Sequence, residues 1–416
     1  MKTYKNLYNE FLSISNFEKA FRDTTKGSGK SEIRKLCRDN YINNIDKYLP
    51  SIIYFSSRFI PFKHDEFTIY EHSCKKERKI IIPTLNELIL HHAVINVLEP
   101  IFMKQMYEHS YASISGRGTH RGQRAVQKWI RNDPANTKYF LKMDIKKFFE
   151  SIDQEILINK LNRIIADDRM MDLLTKIIKS TDHGLPLGFY TSQWFANFYL
   201  TAFDHYVKEV LHAKYYIRYM DDMVIFDSNK RNLKKIKAAV EEYLGSELHV
   251  HIKTNAVVRP LMYVDKHGEI KGKDLDFLGF RFYRDHTTIR HRIFKKMMKK
   301  ANKIRKCIIK HKRIKPTDAM AMLSYYGWIK HTNSHNLYLK EISKKAPLGL
   351  LKKIAGDYMR TGGKHVKVLY SADTIERFVQ RDLSRGLRGD ERELAKGMTM
   401  ETLREELASR GLTLSE

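Results

Sequence analysis

The sequence is poor in the features that would place a chain in a membrane or in an oxidising compartment. Its 416 residues include three cysteines, Cys37, Cys74 and Cys307, whose wide spacing gives neither a disulfide framework nor a zinc-binding pattern. No run of about 18 apolar residues occurs, which argues against a transmembrane helix. The start, MKTYKNLYNEF, lacks the apolar core of a signal peptide. We therefore expect a cytoplasmic protein without a membrane partner.

Acidic residues are also in deficit. The chain has 48 Asp and Glu against 76 Lys and Arg, a formal net charge of +28. Such an excess attracts polyanions, of which nucleic acid is the commonest. A membrane surface is a less favoured partner, because no basic amphipathic helix stands alone at either end. A composition of 42% hydrophobic and 30% charged residues predicts a folded protein, and the length predicts two to four subdomains.

Hydrophobic periodicity and turn residues predict an alternation of strands and helices. The predicted elements are short strands within 66–83, a helix over 84–108 closed by Pro100, a strand over 138–145, helix over 154–181, a helix from Trp194, the strands YYIRYM and MVIF, a helix over 231–246, the strand LHVHIK, a hairpin over 274–285 and basic helices over 290–340. This order predicts an α+β domain in which helices cover one face of an antiparallel sheet and leave the other face free for a ligand.

Three aspartates lie at strand ends in this scheme. Asp144 ends one strand, and Asp221 and Asp222 form the turn between two others. If these strands are neighbours, the carboxylates converge and raise one another's pKa values, a conflict that divalent cations relieve. Two Mg²⁺ ions about 4 Å apart, with Mn²⁺ as a substitute, could activate an attacking 3′ hydroxyl and stabilise a leaving pyrophosphate. A solvated turn is the alternative, but the apolar flanks and the basic charge favour a metal site.

Several motifs occur in the order and spacing of a known family. The palm motifs are KMDIKKFF (142–149), GLPLGFYTSQ (184–193) and YMDD (219–222), and DFLGF (276–280) follows them. On these residues the chain resembles reverse transcriptases. The stretches KERKIIIP, HHAVINVLEPIF, YASISGRGTHRG and SYYGWIKHTNSHNLY make it most similar to prokaryotic enzymes of the diversity-generating retroelement type and to related defence-associated reverse transcriptases, over roughly residues 1–340.

The resemblance implies a right-hand polymerase fold with a C-terminal extension. We expect fingers with an N-terminal helical segment at 1–137, a palm with an antiparallel sheet at 138–285 (which includes part of the fingers, about 154–181), a helical thumb at 286–340 and the extension at 341–416. The implied activity is RNA-directed DNA synthesis from an RNA template and a DNA or RNA primer with dNTPs. An accessory protein, a second polymerase subunit and an oligomer are all compatible with the resemblance.

The expected site residues fall into three groups. The metal ligands are Asp144, Asp221 and Asp222 with the Ile145 carbonyl, and Lys253 is the candidate acid that protonates pyrophosphate. Arg78 and Lys76, beside Lys79, are expected to hold the triphosphate. The family's position for the steric gate against a ribose 2′ hydroxyl falls on Phe149, and Leu187, Gly188 and Gln193 are expected to contact the incoming nucleotide.

Each of these roles has a plainer alternative. Phe148 or Phe149 could be core, Lys76 and Lys253 could be solvated surface lysines, and the Ser192-Gln193 pair could cap a helix that begins at Trp194. The tyrosines and tryptophan of 325–328 are expected to pack the thumb core, and His91 and His92 to be structural. The bases of the loop 111–122 are candidates for contact with template RNA.

Two departures from the family pattern leave the biological role open. Most reverse transcriptases have Gln where this chain has Leu187, and the aliphatic residue is typical of the error-prone, diversity-generating group. Conversely, Glu87-Leu88 replaces a usual Asp-Arg pair, and the chain continues about 75 residues beyond the thumb motif, as in defence-associated relatives with a structured noncoding RNA. A non-catalytic nucleic-acid-binding protein with this fold and an RNA-directed RNA polymerase are the alternative functions.

Overall fold

A computed structural model gives the fold. It describes residues 3–25, 44–62, 64–71, 76–310, 313–360, 391, 394–395 and 397–415, with the side chains of Thr25, Glu71 and Lys76 excluded. Cys37 and Cys74 therefore lie outside the described residues. None of the described helices is both long enough and apolar enough to cross a membrane.

The elements follow one another as helices, a hairpin, a mixed palm region and a helical C-terminal part. In the N-terminal part they are α1 (Leu7–Phe11), α2 (Ile14–Thr25), α3 (Ile45–Ser57), β1 (Asp65–Glu71), β2 (Lys76–Ile82), α4 (Leu85–Met103), β3 (Ser110–Tyr111) and α5 (Thr119–Asn132). In the middle they are β4 (Tyr139–Asp144), α6 (Phe148–Ser151), α7 (Gln154–Asn162), α8 (Asp168–Ile178), α9 (Tyr190–Tyr199), α10 (Thr201–His205), β5 (Tyr215–Tyr219), β6 (Asp222–Asp227) and α11 (Lys230–Leu248). The remaining elements are β7 (Val257–Pro260), β8 (Tyr263–Val264), β9 (Ile270–Lys271), β10 (Leu275–Phe277), β11 (Phe280–Phe282), β12 (Thr287–Ile289), α12 (His291–Ile309), α13 (Pro316–Lys330), α14 (His335–Tyr338), α15 (Leu348–Arg360) and α16 (Met400–Ser409).

The central sheet has the strand order β3-β5-β6-β4-β7. Strands β5, β6, β4 and β7 pair antiparallel with their neighbours, whereas the short β3 pairs parallel with β5. Because side chains alternate across a strand, Leu141 and Met143 of β4 enter a core with the helices, while Phe140 enters a second core on the opposite face. The α+β fold with a mainly antiparallel palm sheet is therefore confirmed.

The second face of the sheet is less open than the sequence suggested. Phe140, Val224 and Phe226 pack there with the aromatic residues of β10 and β11 and with apolar residues of α12 and α13. The expectation of a free face is wrong for most of its length, because this second core covers it. The end that carries Asp144 and Asp222 stays half-exposed, and Val257 and Arg259 of the edge strand β7 are exposed on the same face.

Several predicted element boundaries also need correction. Helix α4 continues through Pro100 to Met103. The segment 154–181 forms two helices, since residues 163–167 interrupt it. LHVHIK forms only an isolated bridge between Ile252 and Ile145, and the strand that completes the sheet is β7, a few residues later.

The C-terminal part divides between two places. Helix α15 buries Leu351 in the core of the thumb helices, so the thumb packing extends beyond the expected boundary at residue 340. The following described residues return to the N-terminal helices, where Leu403 and Leu407 of α16 are fully buried. Arg410 there donates hydrogen bonds to Oγ and the carbonyl of Ser57, at 3.2 and 3.1 Å.

Candidate active site

The strand register brings the three aspartates to one end of the sheet. Asp144 on β4 pairs directly with Asp222 on β6, and Asp221 occupies the turn just before β6. The Ile145 N–H donates to the Asp221 carbonyl at 3.2 Å, which ties the end of β4 to this turn. Met220 adopts a left-handed conformation with φ of 55°, so the chain reverses sharply between Tyr219 and the aspartates.

Burial makes this end of the sheet costly for negative charge. It raises the pKa of Asp222 to about 7; Lys142 opposes that shift, and Asp144 and Asp221 add to it. The pKa of Asp221 is also raised, by burial and then by Asp144, against the positive charges of Lys253 and Arg78. Asp222 Oδ1 is buried without a hydrogen-bond partner among the described residues. The positive charge of a bound cation would therefore stabilise the ionised forms of these carboxylates.

Two lysines supply part of that charge. Lys253 Nζ contacts Asp144 Oδ1, although without the angles of a hydrogen bond. Lys142 Nζ lies 3.5 Å from Asp222 Oδ2 and donates to the Asp276 carbonyl at 2.6 Å. Sequence reasoning missed Lys142; its place two residues before Asp144, on the same face of β4, was the available signal.

The donor set fits a divalent cation, although the side chains are not gathered around one. Within the described part of the chain, no three acidic, histidine or cysteine side chains already stand at metal-ligand spacing. The aspartates nevertheless share one sheet edge, and a buried carboxylate oxygen of Asp222 has no partner. Hard carboxylate oxygens are what Mg²⁺ and Mn²⁺ prefer. Asp144, Asp221 and Asp222 could thus hold metal once Asp144 leaves Lys253.

The nucleotide-contact candidates lie around a loop between α8 and α9. Phe148 is buried in the core, whereas its neighbour Phe149 is half-buried. The Leu187 carbonyl accepts a hydrogen bond from the Ile81 N–H of β2 at 2.8 Å. Gly188 has φ of +122°, and a Cβ there would lie 2.1 Å from the Ile81 carbonyl oxygen. The glycine is therefore required by the contact with β2, without any appeal to a nucleotide.

The remaining candidates are Gln193 of α9 and Arg78 and Lys76 of β2. Gln193 is exposed within α9, which begins at Tyr190, so the proposed cap of a helix starting at Trp194 is wrong. Arg78 is exposed on β2, and its positive charge acts to lower the pKa of Asp221. The side chain of Lys76 lies outside the described residues.

The segment 111–122 is a loop only up to Gly118, because α5 begins at Thr119, and two of its basic residues make structural contacts. Arg117 donates to the Tyr107 carbonyl at 2.9 Å, and burial lowers its pKa. The His120 ring packs 5.7 Å from that of Trp328 in α13. These contacts join the segment to Tyr107 and to α13, whereas Arg121, in the first turn of α5, is exposed and donates to the Gly116 carbonyl at 3.5 Å.

Over part of its length the chain is similar in sequence to several known proteins. The chain is 27% identical over 145 residues to Protein YkfC of Escherichia coli, which is 32% of this chain and 38% of that protein. It is 29% identical to the group II intron-encoded protein LtrA of Lactococcus lactis (34% of this chain, 25% of that protein) and 27% identical to the Retron Ec73 reverse transcriptase of E. coli (38% and 53%). The chain thus spans well under two thirds of each relative.

Among solved structures, a telomerase of Candida tropicalis in complex with telomeric RNA has a TM-score of 0.46 and 13% identity, covering 82% of this chain and 65% of that one. Residues 63–282, more than half of the chain, match the family described as reverse transcriptase (RNA-dependent DNA polymerase). This chain belongs to the reverse transcriptase family, as its motifs indicated.

Proposed function

We propose that this chain is an RNA-directed DNA polymerase that joins a dNTP to a primer 3′ end at the edge of the palm sheet. One observation carries the proposal: the register of β4 and β6 sets Asp144 opposite Asp222, with Asp221 adjoining, at a half-exposed end of the palm sheet. Family membership supports the same reaction. A net charge of +28 supports an RNA template and a nucleic-acid primer as partners.

The aspartates and the Ile145 carbonyl are the proposed ligands of two Mg²⁺ ions. Bound there, the ions would lower the pKa of the primer 3′ hydroxyl and neutralise charge on the triphosphate. The protein contributes position: β4 and β6 fix the spacing of Asp144 and Asp222, and the Ile145 N–H holds the Asp221 backbone. Lys253, already at Asp144, is placed to give a proton to the leaving pyrophosphate.

The proposed nucleotide site faces these aspartates from the fingers side. Arg78, with Lys76 close by in the sequence, would hold the triphosphate. The positive charge of Arg78 lowers the pKa of Asp221, which supports a place near the aspartates. Half-buried Phe149 is proposed as the gate against a ribose 2′ hydroxyl. Leu187, Gly188 and Gln193 would line the base and sugar, and the loop that carries Leu187 is anchored to β2 by its carbonyl.

Primer extension on an RNA template tests the proposal. The double variant Asp221→Ala/Asp222→Ala should lose dNTP incorporation and keep RNA binding, measured by filter retention. Asp227→Ala is the matched control, because this aspartate ends the same strand β6 and its side chain bonds the neighbouring residues Ser228, Asn229 and Asn232. Incorporation that survives the double substitution would disprove the assignment, and loss in both variants would indicate a folding defect.

The choice of sugar separates DNA from RNA synthesis. Phe149→Ala should raise ribonucleotide incorporation relative to dNTP incorporation, because the ring would no longer exclude the 2′ hydroxyl. If Phe149→Ala leaves the ratio of NTP to dNTP incorporation unchanged, Phe149 is not the gate. If the wild-type protein itself prefers NTPs, an RNA-directed RNA polymerase is favoured.

For the biological setting we propose a dedicated structured noncoding RNA as the template, in anti-phage defence or in error-prone diversity-generating retrohoming. Leu187 supports the second setting and the C-terminal segment supports the first. Sequencing the nucleic acid that co-purifies with the protein distinguishes them, since a template repeat indicates diversification.

A further inference from the structure

A buried arginine lies directly behind the aspartate turn. Arg218 of β5 is fully buried, and it pairs with Asp204, equally buried, through Nε to Oδ1 at 2.8 Å and Nη2 to Oδ2 at 2.6 Å. Its Nη1 donates to the Asn197 side-chain oxygen at 3.0 Å and to the Met220 carbonyl at 3.1 Å. Sequence reasoning did not single this residue out.

The Met220 contact is the unusual one. Met220 is the left-handed residue at the entrance of the turn, and its carbonyl belongs to the peptide that leads into Asp221. A non-glycine residue in this conformation is held there by its surroundings, and strain of this kind collects at functional sites. Arg218 holds that peptide by its hydrogen bond to the Met220 carbonyl. At the end of β4, the Ile145 N–H holds the Asp221 carbonyl.

The same network reaches a second strained turn. Asn197, the partner of Arg218, donates from Nδ2 to the Ala112 carbonyl at 3.1 Å. Ala112 has φ of 87°, and its neighbour Tyr111 accepts the Met220 N–H at 3.3 Å. Both turns are therefore tied to one guanidinium, whose planar fork can serve Asp204 and two further acceptors at once.

We propose that Arg218 is a positioning residue, which sets the place of Asp221 and Asp222 by joining the Met220 carbonyl to Asp204 and Asn197. The inference rests on the proposed function of the aspartates. A lysine at this position can keep one charge contact with Asp204, but it has no second arm for Met220. Loss of that arm lets the aspartate turn shift, and a displacement of about 1 Å costs on the order of 100-fold in rate.

The test compares two variants of residues that both bond Asp204, of which only Arg218 also bonds the aspartate turn. Arg218→Lys removes the Met220 contact. Tyr216→Phe is the matched control, because its hydroxyl donates to the same Asp204 Oδ1 at 2.7 Å and leaves the bonds of Arg218 in place. We expect Arg218→Lys to lower kcat for dNTP addition about 10- to 100-fold with primer KM within about twofold, and Tyr216→Phe to stay within about twofold of wild type.

A variant without buried charge guards against misfolding. Breaking one half of a buried ion pair is strongly destabilising, whereas replacing both halves by apolar residues is often tolerated. The variant Asp204→Leu/Tyr216→Phe/Arg218→Met should therefore keep the thermal midpoint of Tyr216→Phe. Its kcat should be as low as that of Arg218→Lys.

A second readout follows metal alone. Mn²⁺ titration monitored by electron paramagnetic resonance should give several-fold weaker binding for Arg218→Lys and an unchanged value for Tyr216→Phe, with Asp222→Asn as the weakened reference. Equal kcat and equal Mn²⁺ affinity in the lysine and phenylalanine variants would overturn the positioning role. A wild-type protein that incorporates no dNTP would instead overturn the proposed function.

Discussion

Neutralising Asp222 should stabilise the metal-free protein above neutral pH. Its pKa rises from 3.8 to about 7, first because of burial, and its side chain is 26% exposed. A raised pKa means that folding favours the protonated form. The stabilising contribution is therefore complete below about pH 4 and is lost as the pH rises through 7.

The size of the effect follows from the shift. About three pKa units correspond to roughly 4 kcal/mol, and coupling to Asp144, Asp221 and Lys142 makes on the order of 2–4 kcal/mol the reasonable range. Asp222→Asn is neutral at every pH and has nearly the same shape. We expect it to be as stable as wild type at pH 4 and more stable by this amount at pH 8, without divalent metal.

Urea unfolding in EDTA, followed by circular dichroism at pH 4, 6 and 8, measures this difference. Asp221 is shifted in the same direction and stays in the variant, so the fall in stability with pH should shrink without vanishing. Millimolar Mn²⁺ should narrow the gap at pH 8, because a bound cation favours the ionised aspartates. Wild-type and variant curves that run parallel from pH 4 to pH 8 would refute the reasoning.

Three further substitutions, the last with a matched control, have defined outcomes. Asp133→Asn should destabilise the protein at pH 7, because the hydrogen bond from Lys214 lowers the pKa of Asp133; the loss should start to shrink as the pH falls below 3.8 and should continue to shrink towards the lowered pKa, measured by urea midpoint. Gly188→Ala should cost about 1–3 kcal/mol and raise the KM for dNTP, since its Cβ would lie 2.1 Å from a carbonyl oxygen of β2. Leu403→Ala should cost about 2–5 kcal/mol by thermal unfolding, and Leu394→Ala, at a site 42% exposed, should cost far less.

The sequence predicted best those features that are local or lie next to a turn. The aspartate turn, the two strands around it and the hairpin DFLGF follow from alternation and turn residues, and the structure contains all of them. One of the mistakes is also local in origin. Pro100 suggested a helix end, but a proline near the last turn of a long buried helix is tolerated when the preceding packing holds it.

What the sequence could not supply were partners distant along the chain. The pairing of Lys142 with Asp222 spans 80 residues, and the contact of Arg410 with Ser57 spans more than 350. An arginine inside an apolar strand predicts a buried partner but does not identify Asp204, which lies on a helix in the preceding segment. Only the packed fold decides which carboxylate meets that guanidinium.

The departure at Glu87 shows how structure changes the meaning of a motif. Glu87 is fully buried; its carboxylate closes a capping box with Thr84 at the start of α4 and meets His64 Nε2 at 2.6 Å. The His64 ring in turn lies 5.2 Å from that of Phe189, the residue after Gly188. Through His64, Glu87 thus connects the start of α4 to the end of the loop between α8 and α9. The exchange of the family's usual arginine for Leu88 leaves these contacts of Glu87 in place.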